Sequence, residues 1–297
     1  MAATLAFLAV LALEASSASP EQAQADSSTG TASRPLDYNE KLGLPLFAGA
    51  IASVALPPVI YKTPPACRWC DANLNVVDRF VQKKVKWDEP CNASKLSYVS
   101  LAAAGAVALG PMSHEDDGND WLVNSGAVAD SVAATIILTQ VVKYTVRRSR
   151  PQSDSCHPGR TQEPDRNLSF FSGHTALAFA LVSSAHETAR LRGRETNDWM
   201  WVGTGAAAVT AYLRVAGGRH HLFDVLTGAG VGYVMGRWIP RHVARPVEPQ
   251  PPAPGQAFRP SVPPAVFAYS RPVGADGGSL LQVGKGPGRS IQIALSF

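Results

Sequence analysis

Between Leu42 and Trp238 the chain passes through six long stretches almost empty of charge. They are Leu42 to Ile60, Leu96 to Met112, Trp121 to Val142, Phe170 to Ala185, Trp199 to Leu213 and Val225 to Gly236, and only Asp130 and His174 place an ionisable group inside them. Such runs read as helices whose sides are covered by each other or by lipid. A membrane-crossing helix needs roughly 20 apolar residues, with a range of about 17 to 25, and several of the runs reach or approach that length. They are rich in Ala and Gly, which lets helix axes approach closely in lipid. The core of a soluble bundle would tolerate the same composition. Length favours embedding in a membrane.

Composition supports this reading by exclusion. Apolar residues make up 45% of the chain and charged residues 17%, against about 25% charged in an ordinary soluble domain. A disordered chain and a coiled coil are excluded. So are collagen and a disulfide miniprotein, since the 297 residues include 25 Gly and 4 Cys. The net charge is +4 with no dense Lys/Arg run, so nothing points to nucleic acid. Mean hydropathy is only −0.02 because polar ends dilute the apolar middle.

Those ends suggest the domain plan. Residues 1–25 combine the apolar run Leu5 to Leu13 with an A-x-A cleavage site at Ala23-Gln24-Ala25. This suggests a signal peptide, or an N-terminal anchor if it is not cleaved. Residues 26–41 are polar and flexible in composition. The helical domain is expected over 42–240. A Pro-rich linker follows over 241–264, with eight prolines between 246 and 264, a composition that makes a stiff, extended spacer. A small β tail of unknown role occupies 265–297, with strands expected over Ala265 to Val273, Ser279 to Val283 and Ser290 to Phe297.

Three polar clusters punctuate the apolar middle. The first, Lys143-Tyr-Thr-Val-Arg-Arg-Ser-Arg150-Pro151, ends one apolar run. The second, Ser169-Phe-Phe-Ser172-Gly173-His174-Thr175, begins another. The third, Arg214-Val-Ala-Gly-Gly-Arg-His220-His-Leu-Phe-Asp224, bridges two. Arg150 and Arg214 can each fork two phosphate oxygens, and Lys143 adds a point charge. A helix start at Ser172-Gly173 presents free backbone N–H groups to an anion, and Gly173 has no Cβ to block its approach. His220 and Asp224 are four apart and share a helix face. Asp224 can then orient His220 as a nucleophile, while His174 protonates a leaving oxygen. Separately, each cluster has a plainer reading: a basic helix flank, a capping histidine, a structural His–Asp pair. A metal site lacks a third ligand at suitable spacing, and the basic residues nearby would repel a cation.

Taken in order, the clusters resemble the signature of the type 2 phosphatidic acid phosphatase and vanadium haloperoxidase superfamily. Its pattern is K-x6-R-P, then P-S-G-H, then S-R-x5-H-x3-D. Lys143, Arg150 and Pro151 match the first part, Ser172, Gly173 and His174 the second, and Arg214, His220 and Asp224 the third. Phe171 replaces the motif proline and Leu213 the motif serine. Neither position supplies a charge or an essential proton. The resemblance covers roughly residues 95 to 240. It implies an all-α helical bundle and a phosphoric ester hydrolase that uses no metal or other cofactor. In that chemistry His220 forms a phosphohistidine, Asp224 orients it and His174 is the general acid. Lys143, Arg150, Arg214, Ser172 and Gly173 bind the phosphoryl oxygens. The expected substrate is a lipid phosphate or pyrophosphate, or a small phosphomonoester. A soluble broad-specificity acid phosphatase, a vanadate-dependent haloperoxidase and a non-catalytic lipid-binding protein are the alternatives.

Topology adds a location. If the runs cross a membrane, alternation brings all three clusters to one face. Arg190, Arg192, Arg194, Arg237, Arg241 and Arg245 fall on the other, which the positive-inside tendency makes cytoplasmic. The clusters then face the periplasm or exterior. An exported N-terminus fits this only if Leu42 to Ile60, with Pro45, Pro57 and Pro58, lies on the surface instead of crossing. Cys67, Cys70, Cys91 and Cys156 would then lie outside and form two bridges, in one of three pairings. A soluble periplasmic enzyme would satisfy the same constraints.

Overall fold

A computed structural model of the chain describes residues 33–61, 63–70, 75–113, 118–152, 156, 164–194, 197–247, 280–285 and 291–296. Two compact units are present, 1–247 and 248–297. In the first, a short strand β1 (Leu36–Tyr38) leads into the helices α1 (Glu40–Ile60), α2 (Val76–Lys84), α3 (Pro90–Ser113), α4 (Gly118–Val146), α5 (Gly173–Leu191), α6 (Asn197–Ala216), α7 (Leu222–Trp238) and α8 (Pro240–Val243). Strand β2 (Ala244–Pro246) returns antiparallel to β1. The second unit contains β3 (Leu280–Lys285) and β4 (Ile291–Ser296), an antiparallel pair. The expected strand over Ala265 to Val273 and the signal segment 1–25 lie outside the described residues.

Helix α5 occupies the middle of the bundle and touches α3, α4, α6 and α7. Its closest partner is α7, and the sequence explains why. Gly228, Gly232 and Gly236 recur every four residues and form one smooth stripe on α7. A Cβ on Gly228 would stand 2.7 Å from the Ser172 carbonyl oxygen, and those on Gly232 and Gly236 would meet the backbone of Ala176 and Ala180. Only glycine allows the two backbones to touch, as at close helix crossings in lipid.

Polar side chains are buried in the bundle beside its apolar core, and large apolar side chains are exposed on its outside. On α4, Ser131, Thr135 and Thr139 are buried and return their hydroxyls to the carbonyls of Ala127, Ser131 and Thr135 at 2.7–2.9 Å. Buried Asp130 accepts a 2.9 Å hydrogen bond from Tyr38, which ties β1 to α4. The outer faces carry Leu44, Val59, Val99, Trp201, Leu226 and Val234, all exposed. Among the described residues, three helical stretches are long and apolar enough to cross a membrane: Glu40–Ile60, Pro90–Gly110 and Asp120–Val146.

Leu42 to Ile60, with its three prolines, belongs to one continuous helix of 21 residues that is long and apolar enough to cross a membrane. Proline removes a backbone donor, but neighbouring groups in a membrane helix compensate and the helix persists. The linker, expected from 241, starts later: α8 and β2 carry the first unit to Val247. There β2 pairs with β1, and buried Ile239, Val243 and Ala244 join Leu36 in a small apolar cluster.

At the end of the bundle distant from the three clusters, buried Glu187 accepts from Arg237 Nε at 3.0 Å and Arg241 Nε at 2.8 Å. Arg192 bridges Asp120 and Asn124 of α4. At the clusters' own end, Cys67–Cys70 and Cys91–Cys156 form two disulfides.

Candidate active site

Helix α4 ends one turn after Lys143. Arg147 adopts a left-handed φ of 51°, and its N–H closes on the Lys143 carbonyl at 3.0 Å. The reversal turns residues 148–150 across the end of the bundle. Backbone bonds then fasten this loop to the other two clusters. Ser169 N–H donates to the Arg148 carbonyl at 2.9 Å, Ser172 N–H to that of Asp224 at 3.0 Å and Gln152 N–H to that of Gly218 at 2.9 Å. Gly218 has φ 64°, a conformation that costs glycine nothing.

These bonds bring the predicted residues together. Lys143, Arg150, His174 and Arg214 line one cavity of about 900 Å³. Gly173 opens α5 beside Lys143: a Cβ at Gly173 would lie 3.7 Å from Lys143 Nζ. Ser172 caps the start of α5 and is fully buried, with its hydroxyl 3.0 Å from that of Thr175. His174 stands edge-on to the Tyr98 ring at 4.4 Å between centroids. Arg214, 3% exposed, donates from Nη1 to Ser94 and Ser97 at 3.4 and 3.3 Å. Its Nε is buried with no hydrogen-bond partner among the described residues. An unsatisfied buried guanidinium N–H is costly, and an anion in the cavity would supply the missing acceptor.

His220 lies behind Arg214, 1% exposed, with Nε2 3.4 Å from Arg214 Nη2. Its Nδ1 is 2.7 Å from the Ser169 carbonyl oxygen. A carbonyl can only accept, so Nδ1 carries the proton and Nε2 keeps its lone pair. Burial, then the charges of Arg214, Arg150 and Lys143, push the His220 pKa well below the usual imidazole value. The ring is held neutral and able to act as a nucleophile.

Asp224 takes up a different position from the direct His220 partner expected. Its Oδ2 is 3.7 Å from His220 Nδ1, beyond hydrogen-bond reach. That oxygen accepts instead from Ser169 Oγ at 2.5 Å and from the His221 N–H at 3.0 Å, while Oδ1 pairs with Arg148. Asp224 therefore reaches His220 through Ser169. His221, which received no role from its spacing, caps α7 with its ring between Gln82 and the Ser149 carbonyl.

Several residues around the site have no signal of their own in the sequence. Ser169 lay in the second cluster but outside the matched positions. Asp165 pairs with Arg150 at the cavity wall. Arg219 and Lys95 also line the cavity. Arg219, one residue before His220, was the most legible of these. Lys95 and Asp165 enter through elements whose packing no local spacing reveals. Tyr61, Tyr98, Tyr144, Pro57 and Pro58 form an apolar part of the same wall. With the cations facing inward, the cavity suits an anion on an apolar stem. Among the described residues, no three His, Cys, Asp or Glu side chains gather as a metal site.

Comparison with known proteins agrees with the motifs. Residues 126–247 match the family model of the PAP2 superfamily, a stretch that contains all three clusters. The structure is similar to the crystal structure of the first transmembrane PAP2 type phosphatidylglycerolphosphate phosphatase from Bacillus subtilis. The two chains are 15% identical, with 67% of this chain and 92% of the other covered at a TM-score of 0.41. No curated protein matches the sequence.

Proposed function

We propose, with residues 126–247 as a domain of the PAP2 superfamily, that the protein is a membrane-embedded phosphatase of lipid phosphates working through a phosphohistidine. The observation that carries this reading is the orientation of His220: Nδ1 is bound to the Ser169 carbonyl and Nε2 faces Arg214 beside the cationic cavity.

The substrate phosphate takes the cavity end lined by Lys143, Arg150 and Arg214, where the free Arg214 N–H gains its acceptor. The start of α5 at Gly173 adds the helix dipole and backbone N–H groups, with Ser172 as its N-cap. His220 Nε2 attacks phosphorus in line as the P–O bond to the lipid alcohol breaks. Burial and the Arg214 and Lys143 charges hold the His174 pKa well below the usual imidazole value, so His174 takes up its proton together with the anionic substrate and then gives it to the departing oxygen. The N–P bond leaves His220 carrying positive charge, which the Asp224 carboxylate stabilises through Ser169. Water then attacks phosphorus, His174 takes its proton, the N–P bond breaks and inorganic phosphate leaves. The cations hold the equatorial oxygens more tightly in the trigonal-bipyramidal state than in either tetrahedral one, which is where the rate gain arises.

The apolar wall and the three helices fit to span support a lipid stem on the substrate. The Cys91–Cys156 bridge, whose two residues line the cavity, supports an oxidising compartment at that end, periplasm or exterior. Phosphate release in detergent micelles, from phosphatidate, undecaprenyl pyrophosphate and a soluble aryl phosphate, tests the reading. Wild type is expected to turn over a lipid phosphate and His220→Ala to lose almost all turnover. Equal turnover by both would remove the mechanism, and preference for the aryl phosphate would remove the lipid.

A further inference from the structure

The segment between α1 and α3 takes no part in the chemistry above, yet it completes the charge around Asp224. Arg148, 1% exposed, joins two buried carboxylates: Nη1 pairs with Asp224 Oδ1, and Nη2 donates to Asp78 Oδ2 at 2.6 Å. Asp78 stands in the first turn of α2, and its Oδ1 also accepts from the Phe223 N–H at 3.1 Å, at the start of α7. Trp69, inside the Cys67–Cys70 loop, lies over the Arg148 guanidinium at 4.4 Å. The main chain is fixed as well. Ser149 N–H donates to the Trp69 carbonyl at 3.0 Å, and the Arg148 carbonyl accepts from Ser169 N–H at 2.9 Å.

The physics assigns a purpose to this arrangement. A buried Asp224 alone would be costly, and a guanidinium offsets that cost. A neutral Asp224–Arg148 pair, however, would offer little field to a developing imidazolium. The second carboxylate, Asp78, leaves the trio with one net negative charge on the Nδ1 side of His220, away from the cavity. Asp78 and Arg148 pair with each other and with Asp224 on the Nδ1 side of His220, so they act through the ring and not on substrate.

We propose that Asp78 and Arg148 are positioning residues for His220: Arg148 holds the Asp224 carboxylate against Ser169, and Asp78 restores the negative charge that Arg148 cancels. The inference rests on the phosphohistidine reading. It extends the site to α2 and to the Cys67–Cys70 loop.

The test compares two anions on the purified full-length protein. Vanadate reaches a five-coordinate, transition-state-like geometry by bonding to the nucleophilic nitrogen. Inorganic phosphate needs only the cationic wall. Asp78→Asn removes one charge from a side chain of the same shape. It is expected to lower kcat and vanadate affinity together by about tenfold or more, the scale of a lost charged hydrogen bond. KM and phosphate affinity should stay within about twofold of wild type by the same scale. Asp78→Glu should recover most of the loss. Arg148→Lys keeps the buried charge balance but cannot bridge both carboxylates, and should show the same split even where Asp78→Asn folds poorly. Parallel loss of vanadate and phosphate affinity, or kcat and vanadate affinity unchanged in both variants, overturns the proposal. A vanadate-specific loss in a protein that hydrolyses no lipid phosphate would keep this assignment and reject the substrate.

Discussion

His220 Nδ1 lies 3.7 Å from Asp224 Oδ2, and the Ser169 carbonyl, at 2.7 Å, is the atom that holds the ring. The hydroxyl of the same serine donates to Asp224 at 2.5 Å. One residue thus contacts nucleophile and carboxylate, through its main chain and its side chain respectively. The main-chain bond fixes the tautomer whatever side chain stands at 169, whereas the hydroxyl bond sets where the Asp224 charge sits.

Ser169→Ala separates the two functions. The carbonyl remains, so His220 keeps its orientation and the protein its fold. Asp224 loses one donor, and kcat should fall about tenfold, in line with a hydrogen bond to a charged group at 1.5–3 kcal/mol. Steady-state kinetics with unchanged KM would be the expected record; a kcat equal to wild type would show that the hydroxyl is idle.

Arg214 offers the sharpest loss. Its Nε has no partner among the described residues and its Nη2 faces His220, so a bound phosphoryl group should meet it with two N–H groups. Arg214→Lys keeps a cation but loses the fork. A drop in kcat of about 10²–10³ is expected, the measured scale for a lost oxyanion donor. Phosphate-release assays showing less than a few-fold change would take Arg214 out of the transition state.

Acid should inactivate the enzyme later than an ordinary histidine would. Burial first, and then Arg214, Arg150 and Lys143, lower the His220 pKa well below 6.5. In the proposed mechanism the neutral ring is the nucleophile, so the acidic limb of kcat/KM contributed by His220 shifts to lower pH. Removing a cation must move the limb back up. A pH series on wild type and Lys143→Met, with one substrate so that its own titration is common to both, checks the direction. A limb that moves down in Lys143→Met would contradict the electrostatic account.

Gly232→Ala tests the crossing that sets the distance between the His174 and Asp224 helices. The added methyl would collide with the Ala176 backbone of α5, and backbone cannot step aside as a side chain can. Overpacking of this kind costs about 1–3 kcal/mol, so thermal unfolding in detergent should show a lower midpoint, with reduced kcat because α5 and α7 each begin at the site. Gly230, which faces open space, is the control: Gly230→Ala should leave both unchanged.

The Cys91–Cys156 bridge closes a separation of 65 residues and joins the start of α3 to the loop after Arg150. Cross-linking across a loop of that size contributes about 2–4 kcal/mol by restricting the unfolded chain. Cys156→Ser should unfold at a lower temperature than wild type, and identical midpoints for the two proteins would mean that the bridge carries no load.

Local spacing determined a large part of this protein. Uncharged runs of helical length announced the bundle because each run shows its own apolarity, whatever its neighbours are. Lys143, Arg150, His174 and Arg214 stood out in the sequence as charged or imidazole groups interrupting apolar runs, and the fold places these four around one cavity. Two disulfides were expected, but only the fold chose Cys67–Cys70 and Cys91–Cys156 among three pairings. Tertiary structure alone decided that Asp224 answers to Ser169 and Arg148, and that Asp78 completes the charge from 70 residues before Arg148. A buried ion pair leaves no period in a sequence. Its partners are chosen by which chain ends the helix crossings bring together, and here glycines on α7 set the central crossing.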